Sequence, residues 1–321
     1  MTLAVALLLG TLLVLWLAPV ALVVGLRRRV EPKAALTAWL VLVTSTFLTL
    51  VAAVAVSLVP GHGPARRVVQ LLQHCWSALS HGEIPSVDAV AGLIGVALLT
   101  VTTTRVVLAG IRRLRTQRGT HRRHMELLHG IAQVEPGRYP LLWVAYPEPV
   151  AYSVAGVGAP RSMIVASRAL VDRLDRPDVA AILEHERAHL RGHHHLLVGL
   201  AEALAAALPL LPLMRTSPDL VRTLVELAAD RVSARAHGSA TVRAALLAMT
   251  DGGSPQGSLA MGRDAVSVRL QWLEGDGPSG RVWTTAVVAI SGVAAALAPV
   301  AVGGGLVAVT GLITCVATAV G

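Results

Sequence analysis

Four apolar runs long enough to cross a bilayer constrain this chain more than any other feature. A crossing helix needs about 20 largely apolar residues. Thr2–Leu26, Ala34–Val59, Ala89–Ile111 and Val282–Ala301 all reach that length. Hydrophobic residues make up 54% of the 321 and charged residues 15%, with a mean hydropathy of +0.63. An ordinary soluble domain is far more polar than that. The expectation is an integral membrane protein with a polar insert.

The net charge of +9 raises the question of nucleic acid, and the position of the arginines answers it. Arg27, Arg28 and Arg29 follow the first run directly, and Arg112, Arg113, Arg115, Arg118, Arg122 and Arg123 follow the third. Basic clusters abutting membrane segments stay on the cytoplasmic side. No aromatic residues interleave them as a base-stacking surface requires, so direct nucleic-acid binding is not expected. Thr2–Leu26 has no charged n-region and no small-residue cleavage site, which makes it an anchor rather than a leader.

The resulting topology puts the N-terminus outside. Residues 1–111 form a membrane domain of three crossings with an exterior loop at 60–88, and 112–280 form a cytoplasmic domain. Residues 281–321 form a C-terminal membrane region, in which 306–320 is short for a further crossing. Cys75 and Cys315 are too few for a disulfide framework or a four-cysteine metal site. The run Leu196–Met214 is also long, but it carries Glu202 in its middle and Pro209 and Pro212 near its end. A carboxylate in mid-bilayer is costly.

The polar insert concentrates its functional groups in "ILEHERAHLRGHHH", residues 182–195. His185-Glu186-Arg187-Ala188-His189 is an HExxH pattern. On a helix, positions i and i+4 share one face, so the two imidazoles can reach a single Zn2+. Glu186, beside the first histidine, is then placed to take a proton from water at the metal. Asp175 or Asp178 can cap this helix and Gly192 can end it.

A catalytic zinc needs a third protein ligand. Downstream, in "VELAADRVSARAHG", Glu226 and Asp230 stand at i and i+4. Glu226 can be that third ligand, and Asp230 can hydrogen-bond a ligand imidazole and hold its tautomer. If Leu196–Met214 crossed the membrane once, Glu226 and His185 would lie on opposite sides. That run is therefore expected to be a buried or interfacial helix, or a re-entrant hairpin bent at its prolines.

HERAH followed by ELAAD, preceded by "AYSVAG…PRSMIVASRALVDRL", resembles the M56-type membrane zinc metallopeptidases. These are gluzincins, the group that includes the beta-lactam sensors. The resemblance implies a mainly α integral membrane protein, with transmembrane helices plus a cytoplasmic α+β zincin domain. It also implies a zinc-dependent endopeptidase whose protein substrate is a cytoplasmic repressor or the chain itself, the turn-rich Asp251–Ser258 being the exposed place for self-cleavage. The beta-lactam sensors carry an exterior penicillin-binding domain after the last crossing, whereas this sequence stops at Gly321. The strand at "MIVAS" is expected, by the same resemblance, to offer an edge to an extended peptide.

Two rival readings accompany this one. An M48-type membrane quality-control peptidase shares the HExxH chemistry and is favoured by two crossings before the catalytic domain rather than three. A non-proteolytic metal sensor or transporter would use the histidine tract and need neither Glu186 nor Asp230. His193, His194 and His195 themselves read as a solvated helix end, where histidine suits the negative pole of the helix dipole. His121 and His124, among arginines, read as surface residues.

Overall fold

Long apolar stretches without breakers become long helices. In the computed structural model, residues 2–27, 29–58, 87–128, 133–156, 162–251 and 259–274 are described. Outside them lie residues 59–86 with Cys75, residues 252–258, and residues 275–321 with Cys315, so the expectations for these segments fall outside the described residues. The side chains of His121 and His124 do as well.

Helix α1 covers Thr2–Arg27, α2 Pro32–Leu58 and α3 Val87–Leu128. α3 does not end at the arginine cluster but runs 42 residues, about 63 Å at 1.5 Å per residue. Arginine, leucine, glutamine and methionine are all good helix formers. "IRRLRTQRGTHRRHMELL" holds no proline and a single glycine, Gly119, so nothing in it forces a break. The expected boundary at 111/112 thus falls inside one continuous helix. Among the residues whose side chains are described, one segment, Pro32–Thr49, is long and apolar enough to span a membrane. Val14–Leu26 and His194–Ala207 are shorter apolar helices.

A four-stranded sheet follows: β1 Gln133–Glu135, β2 Leu141–Val144, β3 Ala151–Val154 and β4 Met163–Ser167. Its order is β1-β2-β4-β3, with β2 and β4 parallel and the outer pairs antiparallel. Every residue of "MIVAS" is buried, as befits a strand paired on both sides. The sequence-based expectation of an edge here is therefore corrected: β4 is internal, and the outer strand on that side is the half-buried β3, "AYSV". The β4 side chains alternate. Ile164 and Ala166 pack with Val179, Leu183 and Leu190 of the next long helix, while Met163 and Val165 pack with Leu142 on the opposite face.

After the short α4 (Arg168–Arg173) comes α5, Arg176–Arg191. Its N-cap is Asp175, though without a side-chain capping bond, and Pro177 and Asp178 occupy the first turn. Leu196–Met214 is not one helix. α6 covers His194–Ala207, the chain turns at Leu208–Leu211, and α7 runs Pro212–His237. Proline pre-sets the first turn of a helix and cannot continue one behind it, so Pro209 and Pro212 break the apolar run in two. α6 and α7 then lie side by side, and their apolar faces join α1 and α2 in one core around Trp39, Leu204, Leu213, Met214 and Leu224. Within that core the Trp39 Nε1–H donates to Ser217 Oγ at 2.7 Å. Glu202, in mid-run, is ion-paired with Arg113 of α3 and Arg222 of α7. α8 (Ser239–Asp251) and α9 (Leu259–Glu274) complete the described elements.

Candidate metal centre and active site

The centre is assembled by packing α7 across α5. Ser233, fully buried on α7, donates its hydroxyl to the Ala181 carbonyl of α5 at 2.7 Å. This contact brings the Glu226 face of α7 over the His185 face of α5.

Three of the residues singled out by spacing then converge. His185 Nε2 lies 3.0 Å from His189 Nε2, 3.4 Å from Glu226 Oε2, and His189 Nε2 lies 3.5 Å from Glu226 Oε1. All the donor atoms fall within 4.8 Å of one another. Tetrahedral zinc with bonds of about 2.0–2.1 Å separates neighbouring ligand atoms by about 3.3 Å. The donor set of two imidazoles and one carboxylate fits such an ion in both spacing and chemistry. Asp230 Oδ1 accepts from His185 Nδ1 at 2.9 Å, leaving Nε2 of the same ring turned to the cluster.

The two carboxyls and His189 are held in the forms that favour a cation, while His185 must release a proton to ligate one. Burial alone would raise both carboxyls and lower both imidazoles. Hydrogen bonds from His185 and the charges of His185 and Arg269 overcome burial at Glu226 and hold it at about 2. Asp230, bonded by Arg269 and His185, is likewise held at about 2 against its burial. His185 is pushed up to about 9, because its bonds to Asp230 and Glu226 outweigh its desolvation. Desolvation dominates at His189 and lowers it to about 4, so its ring is neutral, the form that ligates a metal.

Glu186 points to the other wall. Its carboxyl is bonded by the hydroxyl and backbone of Ser153 on the edge strand β3. Burial raises its pKa, partly opposed by His185 and by these Ser153 bonds. A cleft of about 420 Å³ opens between β3, α5, α7, α8 and α9, and Tyr152, Ser153, Glu186 and the three converging residues all line it.

Two participants were not foreseen. Arg269 on α9 donates Nε–H and Nη2–H to the two oxygens of Asp230, each at 2.7 Å, and its Nη1 lies 3.2 Å from Glu226 Oε2. The only trace in the sequence is an arginine between Val268 and Leu270 on an otherwise half-buried helix face. The second is His194. The triple histidine is not a uniformly solvated end: His193 is exposed, His195 half-buried, and His194 buried at 6% exposure with Nδ1 3.0 Å from His189 Nδ1. The helix stops at Gly192 and restarts at once, which folds the His194 ring back over the end of α5.

Comparison with known proteins agrees with this chemistry. Residues 115–217 match Peptidase family M48, a stretch that holds HERAH and stops short of Glu226, Asp230 and Arg269. No curated protein and no solved structure matches the chain. The match supports a zinc metallopeptidase and does not extend to the M56 group that the motifs resemble.

Proposed function

We propose that this chain is a zinc-dependent endopeptidase of the M48 type, working at a membrane on polypeptide substrates. The observation that carries the reading is the convergence of His185 Nε2, His189 Nε2 and a Glu226 carboxylate oxygen at spacings that suit one tetrahedral ion, with Glu186 in the same cleft. The M48 match favours this over the repressor-cleaving M56 reading.

In this reading His185, His189 and Glu226 hold the metal, and Asp230 orients His185. Zinc supplies a Lewis acid that polarises a carbonyl and acidifies water. Glu186, held by Ser153, takes the proton of the attacking water and delivers it to the leaving amine. Burial raises its pKa and so strengthens it as a base. Among the described residues β3 is the outer strand of the sheet beside Glu186, so an extended substrate adding to it would lay its backbone across the cleft.

A membrane setting is supported by the apolar span Pro32–Thr49 and by large apolar side chains left exposed on three helices, including Trp16 and Val20 of α1, Leu48 of α2 and Val101 and Val107 of α3. With the arginine clusters held inside, the cleft faces the cytoplasm. The purified full chain should cleave an unfolded protein, lose that activity to a zinc chelator, and regain it with Zn2+. A chain that binds zinc and cleaves nothing would favour the metal-sensor reading, whereas one that binds no zinc would end both.

A further inference from the structure

We propose that His194 is a positioning residue for the metal centre, holding His189 in the one tautomer that can ligate. The inference rests on the zinc reading of the site and concerns a residue outside its ligand set.

The geometry is specific. His189 Nδ1 and His194 Nδ1 are 3.0 Å apart, with the two rings edge to face at 4.8 Å between centroids and 89° between planes. For His189 to offer the Nε2 lone pair to a metal, its proton must sit on Nδ1. That N–H faces His194 Nδ1, which must then be the acceptor, so His194 is neutral with its own proton on Nε2. Ligating histidines generally donate their other N–H to such a partner, usually a carboxylate, a carbonyl or water. For His185 the partner is Asp230; for His189 the structure supplies an imidazole.

The local backbone is shaped to deliver it. His193 adopts a left-handed conformation with φ 49°, unusual for a residue other than glycine, and it breaks the helix between α5 and α6. Gly192 makes the room: a Cβ there would stand 2.3 Å from His194 Nε2 and 2.6 Å from Cδ2. Any side chain at 192 would push the ring off His189. A solvated helix end would need neither feature.

The test compares two substitutions in the purified full chain. His194→Asn places an amide oxygen near the former Nδ1 and keeps an acceptor; His194→Leu keeps bulk and removes it. Zinc affinity is read by competition with a chromophoric chelator, with folding of each metal-free protein read by circular dichroism. His194→Leu should bind zinc about 10–100-fold more weakly, and His194→Asn should stay close to wild type. A buried residue that only fills space gives the reverse order, since leucine suits a buried site better than asparagine. Unchanged affinity in His194→Leu, or an equal loss in both, overturns the proposal. If neither variant folds, the zinc-loaded wild type labelled at its histidine nitrogens decides: a through-bond coupling between His189 Nδ1 and His194 Nδ1 is expected, and its absence overturns the proposal. A wild type that takes up no zinc fails the site reading itself, a distinct result.

Discussion

Arg269 grips Asp230 in a two-point fork, Nε to Oδ2 and Nη2 to Oδ1, while the same Asp230 Oδ1 accepts from His185 Nδ1. One carboxylate thus joins a helix from beyond the linker to the first histidine of the centre. Removing the arginine leaves Asp230, with a side chain only 4% exposed, paired with His185 alone. Arg269→Met should destabilise the metal-free protein, by less than the roughly 3–5 kcal/mol of a fully orphaned buried charge because His185 still pairs with Asp230. Arg269→Lys should fall between, because an ammonium restores the charge but not the fork. Thermal unfolding of the three proteins checks the order.

Glu186 is bonded to Ser153 and is not among the three converging donors. Glu186→Gln should therefore keep its zinc and lose about 10²–10⁴-fold in peptidase rate, the range for a general base. Metal analysis and a cleavage assay on one preparation separate the two effects. Loss of zinc together with activity would move Glu186 into the ligand set.

His185→Ala, His189→Ala and Glu226→Ala should each lose zinc, since each removes one of three donors. Asp230→Asn keeps all three and should weaken binding by about 10–100-fold. Chelator competition ranks them. Full zinc retention in Glu226→Ala would remove that residue from the ion.

Ser233, wholly buried, ties α7 to α5 through the Ala181 carbonyl. Ser233→Ala should cost about 0.5–1.5 kcal/mol, one ordinary hydrogen bond. Ser233→Leu must also push the helices apart, carrying Glu226 away from His185. Its zinc affinity should fall well below that of Ser233→Ala, as chelator competition would show.

Reporter fusions test the orientation. A reporter near Gly63 should be exterior, and reporters after Gly137 and after Gly280 should both be cytoplasmic, as the arginine clusters require. An exterior signal at Gly280 would mean an odd number of crossings between the two sites, and the α6–α7 turn would then have to span the membrane.

The sequence by itself determined the chemistry that helical spacing can carry. His185 with His189, and Glu226 with Asp230, each lie one turn apart on a single helix, and a helix puts i and i+4 on one face whatever surrounds it. The prolines at 209 and 212 were legible for the same reason, because the break they make in an apolar run is local. Tertiary structure alone decided the rest. "MIVAS" and "AYSV" are both short and β-prone, and only pairing made the first internal and the second the edge facing Glu186. Arg269 meets Asp230 because α9 packs against α7, a contact 39 residues apart that no periodicity encodes. His194 looked like its two neighbours in a polar triplet. One left-handed residue and one missing Cβ turned it alone inward, because side-chain direction at a helix break follows from backbone angles rather than from residue type.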